Sequence, residues 1–137
     1  MNAAAIERRI ASYIRAWNAQ DFDAMAAHFT EPCVFVVAGG TTVMRQRQEL
    51  AAFLRVNFEA LNARGFGHTE IGAITSRQLG PTLALAEVDD IRRFHRDGQL
   101  METLEVQYTL RVDPSAPDGL SIVSALWCEP GWRERRL

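Results

Sequence analysis

The chain has 137 residues, of which 17 are acidic and 15 basic, and its formal charge at pH 7 is −2. Every basic residue is an arginine, so chemistry that needs a lysine, such as Schiff-base catalysis or a P-loop phosphate site, is excluded. With 47% hydrophobic residues, we expect one globular domain over residues 1–137. The small negative charge argues against nucleic acid or an anionic membrane as partner.

Helical periodicity marks the start of the chain. Apolar residues recur at three- and four-residue intervals between residues 6 and 17, which predicts a first helix. Asp21 is a suitable N-cap for a short second helix. We expect that helix to extend through Phe29 and to be ended by Pro32.

A short hairpin and a third helix follow. Residues 33–37 are β-branched and aromatic, which is typical of a strand, and two glycines at 39–40 predict a turn into a return strand over 41–45. The apolar spacing over residues 46–64 predicts a third helix, and Gly65 should end it.

The second half of the chain reads as strands. They are predicted over residues 68–79, 82–96, 100–112 and 120–128. Helices that are separated in sequence from antiparallel strands indicate the α+β class. Because the long strands carry apolar residues on both faces, we expect helices on one face and a second copy of the chain on the other, as a homodimer through the outer sheet face.

This order of elements resembles the NTF2-like superfamily, which includes ketosteroid isomerases and SnoaL-type polyketide cyclases. The resemblance covers nearly the whole chain, and its local carriers are YIRAWN (13–18), DFDAM (21–25), QELAAF (48–53) and ALW (125–127). It implies an NTF2-like cone, in which three N-terminal helices pack on a curved, mostly antiparallel sheet around a ligand pocket. The fold does not by itself fix the function, since the superfamily hosts several chemistries.

The resemblance to ketosteroid isomerases implies two site residues, and it also indicates that the catalytic base of that pattern is missing in this chain. Tyr13 matches the tyrosine donor of the first helix, and Tyr108 lies where the second oxyanion donor is expected on the penultimate strand. The position of the carboxylate base is occupied by Val37, and valine cannot accept a proton. Steroid isomerisation by that mechanism is therefore not expected.

Another acid could replace the missing base if the strand register turns it into the cone. A three-residue hairpin loop at 96–98 would pair Tyr108 with Ala86. The same register would pair Leu104 with Asp90 and direct Asp90 inward, where burial would raise the pKa of its carboxyl group.

Two further acids depend on the same register. Glu102 alternates with Tyr108 on one face and would lie nearer the mouth of the cone. A two-residue turn would instead bring Glu87 and Asp89 inward, because a one-residue slip reverses the faces of a strand. We prefer the longer loop, since it places small alanines in the cone and leaves room for a ligand.

A purely structural role fits the same residues. The charged side chains of the two long strands could form cross-strand ion pairs: Asp89, Asp90, Arg92 and Arg93 with Glu102 and Glu105. Surface pairs of this kind contribute about 0–1 kcal/mol each. Tyr13, Trp17 and Trp127 could likewise fill the core rather than a site.

Two functions follow from the resemblance. One is an isomerase, cyclase or dehydratase that acts on a small apolar carbonyl compound, with Tyr13 and Tyr108 stabilising an enolate and Asp90 moving the proton. Its predicted ligand-binding residues are Trp17, Val37, Phe53, Glu102 and Trp127. The other is a non-catalytic ligand-binding or dimerisation module. An epoxide hydrolase of the limonene type, which uses an Asp–Arg–Asp set, ranks below both.

We expect no cofactor and no metal, because no spaced His/Cys cluster occurs in the sequence. The sequence also shows neither a signal-peptide pattern nor an apolar run long enough to cross a membrane, and a cytoplasmic location is expected. Cys33 and Cys128 could form one disulfide, but a reduced pair is the expectation in that compartment.

Overall fold

The fold is that of a computed structural model, which describes residues 1–134. The helices are α1 (Ala3–Asn18), α2 (Phe22–Ala26) and α3 (Arg47–Ala63). The strands are β1 (Phe29–Val37), β2 (Gly40–Met44), β3 (Phe66–Ile71), β4 (Ile74–Gln78), β5 (Leu83–His95), β6 (Leu100–Val112) and β7 (Leu120–Trp127). The α+β prediction is confirmed.

One mixed sheet of seven strands carries the fold. Its order is β2-β1-β7-β6-β5-β3, and β4 also pairs with β5. β1 and β7 run parallel, whereas the other described pairs are antiparallel. The helices cover one face, where Ile10, Phe29, Leu110 and Ile122 are fully buried. Burial of one such side chain stabilises the fold by about 1.5–3 kcal/mol.

The second helix begins as predicted but is shorter. Asp21 caps it by accepting a hydrogen bond of 3.0 Å from the Ala24 amide. The prediction that this helix extends through Phe29 and is ended by Pro32 is wrong, because Phe29 already belongs to β1 and pairs with Ile122 of β7. Pro32 lies where the β1–β7 register shifts, a place where a missing N–H is tolerated.

The third helix and its end follow the sequence closely. α3 has Gln46 as N-cap residue and Arg64 as C-cap residue. Gly65 has a φ of +88°, the left-handed conformation that glycine adopts at a helix C-terminus without steric cost. None of the helices described in residues 1–134 has the length and apolar character needed to cross a membrane.

The strand predicted over residues 68–79 is divided in two. β3 and β4 are separated at Gly72, and both pair with β5 on either side of the break. The Gly72 amide still donates a hydrogen bond of 2.8 Å to the Asp90 carbonyl oxygen. The break therefore lies beside an irregularity in β5, which the sequence pattern of β3 and β4 does not show.

The β5–β6 hairpin has the preferred register at both of its ends. Near the loop Phe94 pairs with Leu100, and Gly98 has a φ of +90°, as a three-residue loop requires. Farther from the loop Tyr108 pairs with Ala86. These pairings confirm the preference for the longer loop.

Two compensating bulges shift the pairing in the middle of this hairpin. An extra residue in β6, Met101, moves the register by one position, and an extra residue in β5 within 89–90 restores it. Leu104 consequently pairs with Ile91. Over the short segment between the bulges, the faces of β5 are the reverse of those predicted, whereas Leu104 of β6 keeps its predicted inward position.

The prediction that Asp90 pairs with Leu104 and faces the cone is therefore wrong. The Asp90 side chain is 51% exposed, and its Oδ2 lies 3.5 Å from Nε of Arg92. The inward positions of this segment belong instead to Ile91 and Arg93, which line the interior of the cone.

Gly67 of β3 lies where the edge of the sheet is tightly packed. A Cβ atom at Gly67 would lie 2.9 Å from the His95 carbonyl oxygen and 3.0 Å from the Arg96 Cα. Because these are backbone atoms, Gly67→Ala should lower the free energy of unfolding by about 1–3 kcal/mol. Urea denaturation measures the change. Gly39→Ala is the control, since its Cβ would meet nothing within 4 Å. Equal losses in the two variants would contradict the prediction.

Candidate functional site

The interior of the cone holds two adjoining cavities. The inner cavity has a volume of about 60 Å³ and the outer one about 410 Å³. Four residues line both: Phe35, Asn57, Arg93 and Trp127. The inner space accommodates a few water molecules or one functional group, whereas the outer space reaches the size range of small-molecule sites.

The inner cavity lies between α1 and β6. Tyr13 is placed there by the apolar face of α1, and its ring packs edge-on against Phe29 with centroids 5.2 Å apart. Tyr108 lies between the buried residues Val106 and Leu110 on the inner face of β6. The helical period and the strand alternation therefore bring the two tyrosines to one place.

The two tyrosines form the polar end of this cavity, and they are the two tyrosines of the chain. Their ring centroids lie 6.0 Å apart, and the side chains of Tyr13 and Tyr108 are 5% and 2% exposed. Both line the cavity, and within residues 1–134 neither hydroxyl has a hydrogen-bond partner. Two buried hydroxyl groups are thus available to a ligand.

Burial keeps both hydroxyls protonated. Desolvation raises the pKa of Tyr13 well above its ordinary value, the neighbouring Tyr108 raises it further, and the positive charge of Arg93 acts in the opposite direction. Desolvation likewise raises the pKa of Tyr108, again opposed by Arg93. At neutral pH both side chains are therefore hydrogen-bond donors.

Arg93 is a lining residue to which the sequence reasoning gave no role in the site. Its Nη1 donates a hydrogen bond of 3.0 Å to Oε1 of Glu102, directly across the β5–β6 pair. This is one of the cross-strand ion pairs that the structural alternative predicted, but it lies on the inner face. The bulge at Met101 decides that placement, and the sequence shows no signal for it.

The structure places the predicted ligand-binding residues around both cavities. Trp17 lines the inner cavity, and its indole N–H donates a hydrogen bond of 3.1 Å to Oγ1 of Thr69. The outer cavity is lined by Val37 and Phe53, and Trp127 borders both spaces. Whether these side chains bind a ligand stays a prediction.

Glu102 and Asp90 differ in their relation to the site. Glu102 reaches it through its bond to Arg93, whereas Asp90 lies outside. Among the described residues that line the two cavities, there is no carboxylate. Residues 1–134 also contain no group of three or more His, Cys, Asp or Glu that could hold a metal ion. The arrangement offers hydrogen-bond donors, one cation and the amide of Asn57 to a mostly apolar space.

Comparison with known proteins places this architecture. A family model described as NTF2-like protein (DUF6841) matches residues 3–129. No curated protein matches the chain.

Several solved structures have the same fold. A domain of unknown function with a cystatin-like fold from Nostoc punctiforme is 24% identical, with a TM-score of 0.72, over 98% of this chain and 83% of that one. An NTF2-like protein from Novosphingobium aromaticivorans is 20% identical, with a TM-score of 0.74, over 93% and 81%. A ketosteroid isomerase-like protein from Erwinia carotovora is 19% identical, with a TM-score of 0.64, over 95% and 100%. The predicted fold is therefore confirmed.

The buried tyrosines should make the fold sensitive to alkali. An unfolded tyrosine ionises at about pH 10, whereas Tyr13 and Tyr108 keep their hydroxyl protons to higher pH in the folded protein. Above about pH 10 the unfolded state binds fewer protons, so the free energy of unfolding falls as the pH rises. In Tyr108→Phe that fall should be shallower by up to about 1.4 kcal/mol per pH unit.

Urea denaturation in steps between about pH 9 and about pH 11 measures this slope. Thr109→Val is the control, because it removes a hydroxyl from the opposite face of the same strand. Tyrosinate absorbance that appears near about pH 10 in the folded protein would contradict the prediction.

Proposed function

We propose that this chain, which belongs to the NTF2-like family (DUF6841), binds a small molecule that has an apolar body and a carbonyl or similar acceptor oxygen. The observation that carries the proposal is the pair of buried tyrosine hydroxyls, Tyr13 and Tyr108, which face one cavity without a protein partner. Both tyrosines line the cavity, where a ligand oxygen would accept hydrogen bonds from their hydroxyls in place of water.

The two cavities divide the ligand between them. The inner volume of about 60 Å³ suits one acceptor group, which both hydroxyls would reach. The outer volume of about 410 Å³ suits a ring system, which Phe35, Phe53 and Trp127 would contact. Aromatic walls of this kind favour flat apolar bodies, because ring pairs gain energy beyond the burial of their area.

Catalysis of the isomerase, cyclase or dehydratase kind is the second candidate. Two neutral donors on one oxygen would stabilise an enolate, which is the observation in its favour. The reaction also needs a base, and Glu102 is an acid in direct contact with the lining through Arg93. We place binding first, since no carboxylate lines either cavity within the described residues.

Binding can be tested with 2-acetylnaphthalene, which has one carbonyl on a flat apolar body. Calorimetric titration of the full chain should show saturable binding. Tyr13→Phe and Tyr108→Phe should each weaken it by about 3- to 10-fold, the value of one hydrogen bond. Thr109→Val is the matched control and should bind like the parent chain.

Two outcomes decide between the candidates. Failure of 2-acetylnaphthalene to bind, or an affinity in both tyrosine variants equal to that of the parent chain, would contradict the proposed function. Incubation of the bound ketone in D₂O tests catalysis, because an enolate exchanges the methyl protons for deuterium. Exchange above the buffer rate that is lost in Tyr108→Phe would favour an enzyme.

The proposal includes a homodimer through the outer sheet face. A groove of about 300 Å³ on that side is lined by Val36, Leu126 and Trp132, and Leu126 is 39% exposed. A second copy of the chain would cover these apolar side chains. We also propose a cytoplasmic location, which suits the free thiols of Cys33 and Cys128.

Sedimentation equilibrium tests the dimer. Leu126→Asp should convert it to a monomer, because a carboxylate would then be buried at the interface. Val56→Asp, on the exposed side of α3, is the control and should leave the mass unchanged. A parent chain that sediments as a monomer would refute this part of the proposal.

A further inference from the structure

We propose that the pocket selects a ligand with a single carboxylate group, and that Arg93 binds this group in place of Glu102. The inference rests on the proposed function, since it assigns the ligand class of the same pocket. It adds a specificity-determining residue that the resemblance to other families does not supply.

The first argument is the position of Arg93. Its side chain is 18% exposed and lines both cavities at their junction. It lines the inner cavity together with Tyr13 and Tyr108, and its positive charge partly opposes the rise that burial causes in the pKa of both hydroxyls. A guanidinium therefore stands beside the two donors, with the apolar outer cavity next to it.

The second argument is the unused hydrogen-bonding capacity of this guanidinium. Arg93 has five N–H groups, and in residues 1–134 the structure gives it one side-chain hydrogen bond, from Nη1 to Glu102. A bidentate pair, which is the strong arrangement between arginine and a carboxylate, is not formed. A carboxylate that enters the cavity can make that pair.

The third argument is the charge at the mouth. Glu102 accepts the bond from Arg93 and also lies 3.7 Å from Nη1 of Arg64. Two guanidinium groups thus share one carboxylate, so Arg64, Arg93 and Glu102 together carry one net positive charge. No carboxylate lines either cavity within the described residues, so Glu102 is the acid with which an incoming anion would compete for Arg93.

The net charge of Arg64, Arg93 and Glu102 also favours a ligand with one negative charge. A monocarboxylate neutralises the excess charge, whereas a phosphate with two charges would leave a surplus in a largely apolar space. Glu102 is 29% exposed and can turn towards Arg64 and solvent when the ligand takes its place. Arg93 then exchanges an internal counter-ion for one on the ligand.

The test compares 2-naphthoate with 2-naphthamide, which have the same ring body and differ in charge. Calorimetric titration of the parent chain should show a preference of at least about tenfold for the carboxylate, the value of a charge-assisted hydrogen bond. Arg93→Gln should abolish that preference, because the glutamine side chain carries no charge. Arg92→Gln is the matched control, because the neighbouring arginine lies on the opposite face beside Asp90.

Glu102→Gln gives an independent readout with the opposite sign. It removes the competing carboxylate, so the affinity for 2-naphthoate should rise several-fold while that for the amide stays the same. A preference that survives in Arg93→Gln, or an affinity for 2-naphthoate that does not rise in Glu102→Gln, would overturn the inference. If both probes bind equally to the parent chain, the inference fails and the binding function stands. If neither probe binds, both fail.

Discussion

The pairing of β5 with β6 is the constraint on which the site depends, because it decides which side chains enter the cone. Two bulges, one at Met101 and one within residues 89–90, reverse the faces of β5 over the short segment between them. Arg93 consequently lies inside, bonded to Glu102, and Asp90 lies outside. Without the bulges Asp90 and Arg92 would take the inward positions of β5, and Arg93 would face outward.

Around this pair the cone is mostly hydrocarbon, and that gives its few polar groups their character. Burial raises the pKa of Tyr13 and Tyr108, so both remain neutral donors at physiological pH. The guanidinium of Arg93 has the carboxylate of Glu102 as its counter-ion, and it shares this carboxylate with Arg64. The cavities therefore present donors and positive charge, which suits recognition of an acceptor better than abstraction of a proton. Enolate stabilisation needs the same donors, and the supply of a base is what separates the two functions.

Most of the architecture could be predicted from the sequence, because it follows from local patterns. The apolar spacing of α1, the cap at Asp21 and the glycine after α3 each act within a few residues. The hairpin register near the loop also followed, since the loop fixes the Phe94–Leu100 pair; the Tyr108–Ala86 pair agrees with the prediction because the two bulges compensate. The start of β1 at Phe29 could not be predicted from local patterns, because its partner in β7 lies far away in the sequence.

The candidate site could likewise be predicted only in part from the sequence. The resemblance to ketosteroid isomerases pointed to Tyr13 and Tyr108, and the structure brings both to the lining of one cavity. The inward charge needed more, since bulges depend on how β5 is held by β3, β4 and β6 together. The sequence by itself determined an α+β cone with two tyrosines and no lysine. Only the tertiary structure decided that its charged group is Arg93, because a shift of one residue between paired strands exchanges one face for the other.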